Sequence, residues 1–190
     1  MKRKPSVASM LFLSVTLLGM SSVTFSAENK PGFFSRIFNG DKAPGVAPVK
    51  NPLYLEECGS CHFPYQPGLL PARSWTKVMA GLEKHFDENA ELVAEDAKSL
   101  TDYLVKNAAD HANYKRSKKI MESLRPDDAP LRVSKTPYFI TKHNELSRKM
   151  VQDNSKVGSL SNCNACHTKA GTGSYSESEI LIPSFGAWED

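Results

Sequence analysis

The chain has 190 residues, of which 40% are hydrophobic and four are cysteine, and carries a formal net charge of +3. That small excess comes from Lys2, Arg3 and Lys4: without residues 1–27 the 24 basic and 21 acidic side chains become 21 and 21. A formally neutral protein lacks the cationic field that nucleic-acid binding requires.

Lys2 to Lys4 precede an apolar run from about Ser6 to Met20, followed by small residues ending at Ala27. This is the pattern of a secretory signal peptide over residues 1–27, with cleavage after Ser26 or Ala27 both suiting it. At roughly 15 residues the run is short of the ~20 that span a bilayer. The expectation is therefore export to the periplasm and no integral membrane span after cleavage. An exported chain meets an oxidising compartment in which free thiols pair.

Residues 28–51 are rich in Pro and Gly, with a small apolar knot at Phe33, Phe34, Ile37 and Phe38, and read as a tether. From Pro52 the pattern is helical, and no alternating stretch is long enough to mark a strand. Three prolines in PYQPGLLPAR forbid a regular helix after residue 62. Ser74 then caps a predicted helix whose Trp75, Val78, Met79, Leu82, His85 and Phe86 share one face. A second helix is expected over about 91–108, with Leu92, Val93, Ala97, Leu100, Tyr103 and Leu104 inward. A short basic helix follows over 115–124, and RPDDAP ends it. Thr136 before Pro137 is a helix start, and it sets Phe139, His143, Leu146 and Met150 on one stripe. The chain closes with ILIPSFGAWED, whose Ile180, Ile182, Phe185 and Trp188 suit covering an apolar surface.

All four cysteines fall in two copies of one pattern, ECGSCHF at 57–63 and NCNACHT at 162–168. A structural disulfide gains by closing a long loop, and Cys58–Cys61 or Cys163–Cys166 would close almost none. Zinc held by both pairs leaves the trailing histidines unexplained. A thioredoxin-like redox pair needs a βαβ setting that is absent. CxxCH instead suits covalent attachment of haem. Two thiols one helical turn apart add to the two vinyl groups of one porphyrin edge, and the next imidazole reaches the iron from the same side. Cys58, Cys61, Cys163 and Cys166 are thus expected to hold two haem c groups, with His62 and His167 as one axial ligand each.

The sixth iron position decides between electron carrier and catalyst. His85, His111 and His143 remain. His85 and His143 lie on apolar stripes and are expected to supply the missing ligands, in either the direct or the crossed pairing. His111 sits where a helix ends, and a cation-prone side chain at a helix C-terminus explains it. Met79, Met121 and Met150 fall inside helical patterns as packing residues. Each proximal imidazole should donate its other N–H to a carbonyl, the loop from Pro67 to Pro71 being the nearest acceptor in the first unit. Arg73, just beyond, is in reach of a propionate.

The runs NPLYLEECGSCHFPYQPGLLPARSWTKVMAGLEKHF, KTPYFITKHNEL, CNACH and IPSFGAWED together resemble the periplasmic dihaem cytochromes c, from about Asn51 to the C-terminus. The resemblance implies a mainly α protein. A haem domain similar to class I cytochromes c (52–114) would be followed by a less regular haem domain (115–190). It also implies bis-histidine irons, with His85 and His143 at the ligand positions, and no enzymatic activity. An oxygen-binding monohaem c-type cytochrome is the implied acceptor and a membrane b-type cytochrome the implied donor.

Two other functions weigh against electron transfer. A dihaem peroxidase or other small-ligand enzyme needs an open iron, and enough histidines are present to close both. The dihaem small subunit of a periplasmic reductase has its two motifs closer together than here. Charge is uneven along the chain, with 6 basic and 10 acidic side chains over 50–110 and 10 basic and 4 acidic over 111–149. Such a field favours transient, salt-sensitive docking.

Overall fold

The structure, a computed structural model, describes residues 44–188. The stretch read as a signal peptide and the apolar knot of the tether lie outside the described residues. The described residues fall within one compact unit. It is mainly helical, with α1 (Pro52–Gly59), α2 (Ala72–Met79), α3 (Ala94–Lys106), α4 (Lys115–Ser123), α5 (Pro137–Lys142) and α6 (Cys163–Cys166) joined by loops and short 3₁₀ turns. Among the described residues no helix is long and apolar enough to cross a membrane.

Local chemistry starts two of these helices in the same way. Asn51 caps α1 by accepting from the Tyr54 N–H, and Thr136 caps α5 by accepting from the Phe139 N–H. In both, a proline follows at the first helical position, where its missing N–H costs nothing.

The apolar face of α3 makes the first core. Leu100 and Leu104 are buried against Tyr54 of α1, Trp75 of α2, and Leu70 and Ala108. Val93, expected inward, precedes the helix and is 67% exposed. A second core joins Val46, Leu69, Ile120, Ala170 and Tyr175. Of the stretch read as a tether, residues 44–51 are described, and Val46 there is fully buried. Gly173 makes this approach fit. At φ +79° it lies so close to the Val46 carbonyl that a Cβ would stand 2.3 Å from that oxygen.

Buried polar contacts stitch the loop after residue 62 to the surroundings of the second CxxCH. Tyr65 donates to the Ser161 carbonyl (2.7 Å), Gln66 donates to the Ala170 carbonyl (2.6 Å), and the Tyr175 hydroxyl donates to the Gln66 side chain (2.5 Å). Both ends of the buried Gln66 amide are therefore satisfied, as a buried amide requires.

Two elements depart from sequence expectation. The helix predicted to carry His85 starts at Ala72 and stops at Met79, before Gly81; a 3₁₀ turn over Leu82–Lys84 replaces its last part. Ser74, expected as its cap, is buried inside the first turn. Where no stretch was long enough to mark a strand, the C-terminal run forms a small hairpin, β1 (Leu181–Ile182) antiparallel to β2 (Gly186–Ala187). Ile182 is buried there and Phe185 exposed.

Candidate haem sites

Cys58 closes the last turn of α1, with Cys61 and His62 in the turn beyond it. Cys163 and Cys166 bound the single turn α6, and His167 follows it. All four thiols are free. Burial pushes Cys58 and Cys163 up to about 11, and it raises Cys166 as well. These are neutral thiols without the electropositive surroundings of a reactive thiolate. Among the described residues no group of three or more His, Cys, Asp or Glu is placed to hold one metal ion.

The fold brings the four candidate histidines together in two pairs. The His62 and His85 rings have centroids 6.2 Å apart, with planes 18° from parallel. The His143 and His167 rings are 6.0 Å apart, with planes at 69°. Bonds of about 2.0–2.1 Å from a first-row metal to imidazole nitrogen, with each ring centre about 1.1 Å behind its nitrogen, put the centres of two axial imidazoles about 6.3 Å apart. The observed separations are close to that value, and the rings brought together are His62 with His85 and His143 with His167.

Hydrogen bonding fixes which nitrogen two of these rings offer. His62 Nδ1 donates to the Phe63 carbonyl (2.8 Å) and His143 Nδ1 to the Phe139 carbonyl (2.9 Å), which leaves Nε2 of each as the free lone pair. The acceptor for His62 is thus not the Pro67 loop. The Pro67 carbonyl is taken by the Trp75 indole N–H (2.8 Å) and the Leu70 N–H. His143 is further held by Phe139, whose ring lies parallel to it at 3.8 Å, one helical turn earlier. His167 Nδ1 is buried without a partner.

Burial, then the neighbouring His143 and Arg116, holds His167 down at about 4. His143 is lowered chiefly by burial, and His85 by burial, then His62 and Arg132. Neutral imidazoles are the form that binds metal.

The second pair opens on a cavity of about 480 Å³, lined among others by Phe139, His143, Cys163, His167, Tyr175 and Trp188. That volume is in the range of sites for small cofactors, about 300–1,000 Å³. A smaller hollow beside it reaches Cys166, Met150 and Leu160. Thiols at haem-attachment spacing, imidazole rings brought together in pairs and a cavity walled in part by aromatic side chains together fit a porphyrin.

Three further residues bear on the sites: one stands as expected, one stands differently and one was missed by the sequence analysis. His111 donates from Nδ1 to the Val105 carbonyl at the end of α3 and joins neither pair. Arg73 is committed to the carbonyls of Asp128 (2.6 Å) and Arg125 (3.3 Å), away from a propionate role. Arg116, hidden in the basic run KRSKK, was missed. It donates to the Tyr138 hydroxyl (2.8 Å) and the Tyr175 carbonyl (2.7 Å), its guanidinium lying over both rings. It therefore ties α5 to the segment after α6. No spacing signal separates it from its solvated neighbours.

A sequence profile of the dihaem cytochrome c family matches residues 54–175. Among curated proteins none matches the chain. A diheme cytochrome type c from Shewanella baltica is 40% identical, covering 73% of this chain and 98% of that one, with a TM-score of 0.61. A diheme cytochrome c from Rhodobacter sphaeroides is 41% identical, covering 68% of this chain and all of that one, also at 0.61. With the family's profile over most of the described residues and both attachment motifs in place, the chain belongs to the dihaem cytochromes c and carries two haem c groups.

Proposed function

We propose that this protein passes single electrons through two bis-histidine haems, the first gripped by His62 and His85 and the second by His143 and His167. The carrying observation is the separation of the two ring pairs, 6.2 and 6.0 Å, at the spacing of two axial imidazoles on one iron. When bound, haem supplies a one-electron couple. The chain's own part is to hold the rings. Phe63 and Phe139 carbonyls fix the tautomers of His62 and His143, and Phe139 locks the His143 plane by stacking. With both axial positions filled, neither iron has a face for substrate, which favours a carrier over a peroxidase.

The ring angles give the test. Near-parallel imidazoles act on the same iron d orbital and split the pair, whereas near-perpendicular ones treat the two orbitals alike. The oxidised protein should therefore show two distinct low-spin resonances, one rhombic and one nearly axial, and the reduced protein should not bind carbon monoxide. A high-spin signal, or prompt carbon monoxide binding, would overturn the reading.

The same reading extends to setting and partners. Residues 1–27 would direct export to the periplasm. The first core, whose buried members all fall within 54–108, favours a class I-like first haem region within 52–114 and a second over 115–190. A membrane b-type cytochrome would be the donor and an oxygen-binding monohaem c-type cytochrome the acceptor. The uneven charge along the chain supports electrostatic docking, so electron exchange with such partners should slow as salt rises. A rate indifferent to ionic strength would remove that support.

A further inference from the structure

His85 does not sit on a regular element. It opens a tight turn, in which the Glu88 N–H returns to the His85 carbonyl at 3.2 Å and the two residues form an isolated antiparallel bridge. The two central residues, Phe86 at φ +56° and Asp87 at φ +79°, are both left-handed. A turn of this kind favours Asn-Gly, because a Cβ followed by a bulky side chain is strained there. Phe-Asp is a poor sequence for it. Phe86, Asp87, Glu88 and Asn89 are all exposed, so burial in a core does not hold the turn in shape.

What meets it is Arg132. Its guanidinium carbon lies 3.7 Å from the centre of the Phe86 ring, and that ring packs edge-on against His85, with centroids 4.7 Å apart. The guanidinium has a firm base, because Val133, the next residue, packs against both apolar cores. A cation held on an aromatic face at this distance is attracted by the ring's electron density.

We propose that Arg132 is a positioning residue for the first haem: by clamping Phe86 it keeps the strained turn closed and His85 turned toward His62. This rests on the reading of His85 as an axial ligand. It also means that a residue from the second half of the chain governs ligation in the first.

The test uses the mature dihaem protein, with haem content checked by intact mass. Arg132→Gln should let carbon monoxide bind at one iron of the reduced protein and should raise that iron's midpoint, the other remaining closed. Adding Phe86→Asn and Asp87→Gly, which suit the left-handed turn, should restore the closed iron without the clamp. An Arg132→Gln protein that excludes carbon monoxide like its parent overturns the proposal. So does failure of the relaxed turn to restore closure, since strain would then not be what Arg132 opposes. His85→Ala separates the levels. If it leaves the first iron closed, the ligand reading itself falls; if it opens that iron while Arg132→Gln does not, only the clamp falls.

Discussion

The two CxxCH segments share a pattern and differ in almost everything around it. The first ends a two-turn helix and leaves Cys61 and His62 exposed; its partner His85 comes from a strained turn, with the rings nearly parallel. The second is a single turn whose imidazole is paired through its backbone with Ile180 and faces a ring locked by stacking, the planes crossing at 69°. Under the proposed ligation, the motif fixes attachment, while the sixth ligand and its rotation are set by whichever element packs opposite. Two irons with the same ligands need not be equivalent.

Removing the distal rings one at a time should break the symmetry most. His143→Ala should open the second iron to carbon monoxide and leave the first closed, and His85→Ala should do the converse, each read in the difference spectrum of the reduced protein. Opening of both irons by either change would mean that the two sites do not ligate independently.

A smaller effect is expected from Arg116→Gln. It deletes two hydrogen bonds from a charged donor that join α5 to Tyr175, at about 1.5–3 kcal/mol each before relaxation. Unfolding should register a net loss of about 2–4 kcal/mol. Because a fixed cation favours the less positive reduced iron, the second midpoint should fall. If the first midpoint moves as far, Arg116 does not belong to the second site alone.

The smallest effects come from the two helix caps. Asn51→Ala and Thr136→Ala should each cost about 1 kcal/mol, seen in thermal unfolding. Thr136→Ala sharpens the comparison if it disturbs only the second haem's spectrum, since α5 carries Phe139 and His143 follows its last residue.

Where a structural feature depends on near neighbours, it could be read in the sequence. Thr136-Pro137 starts its helix as expected, Leu100 and Leu104 face the core, and both CxxCH runs end helical turns. What could not be read depends on contacts between distant residues. His85 seemed to continue the apolar stripe of α2, but the helix stops before Gly81 and a turn delivers the ring instead. The spacing of the histidines left direct and crossed pairing equal, and only the fold sets His85 beside His62 and His143 beside His167. Arg116 and Arg132 look like ordinary surface cations because their aromatic partners lie elsewhere in the chain.

The seating of Val46 has a practical consequence. Gly45 accepts the Arg116 N–H and donates its own to the Gly173 carbonyl, so the first described residues are laid along the wall of the second cavity. A label, affinity handle or electrode linker introduced just upstream would leave the body on that flank. Immobilised there, the molecule would turn the cavity beside the second CxxCH toward the surface.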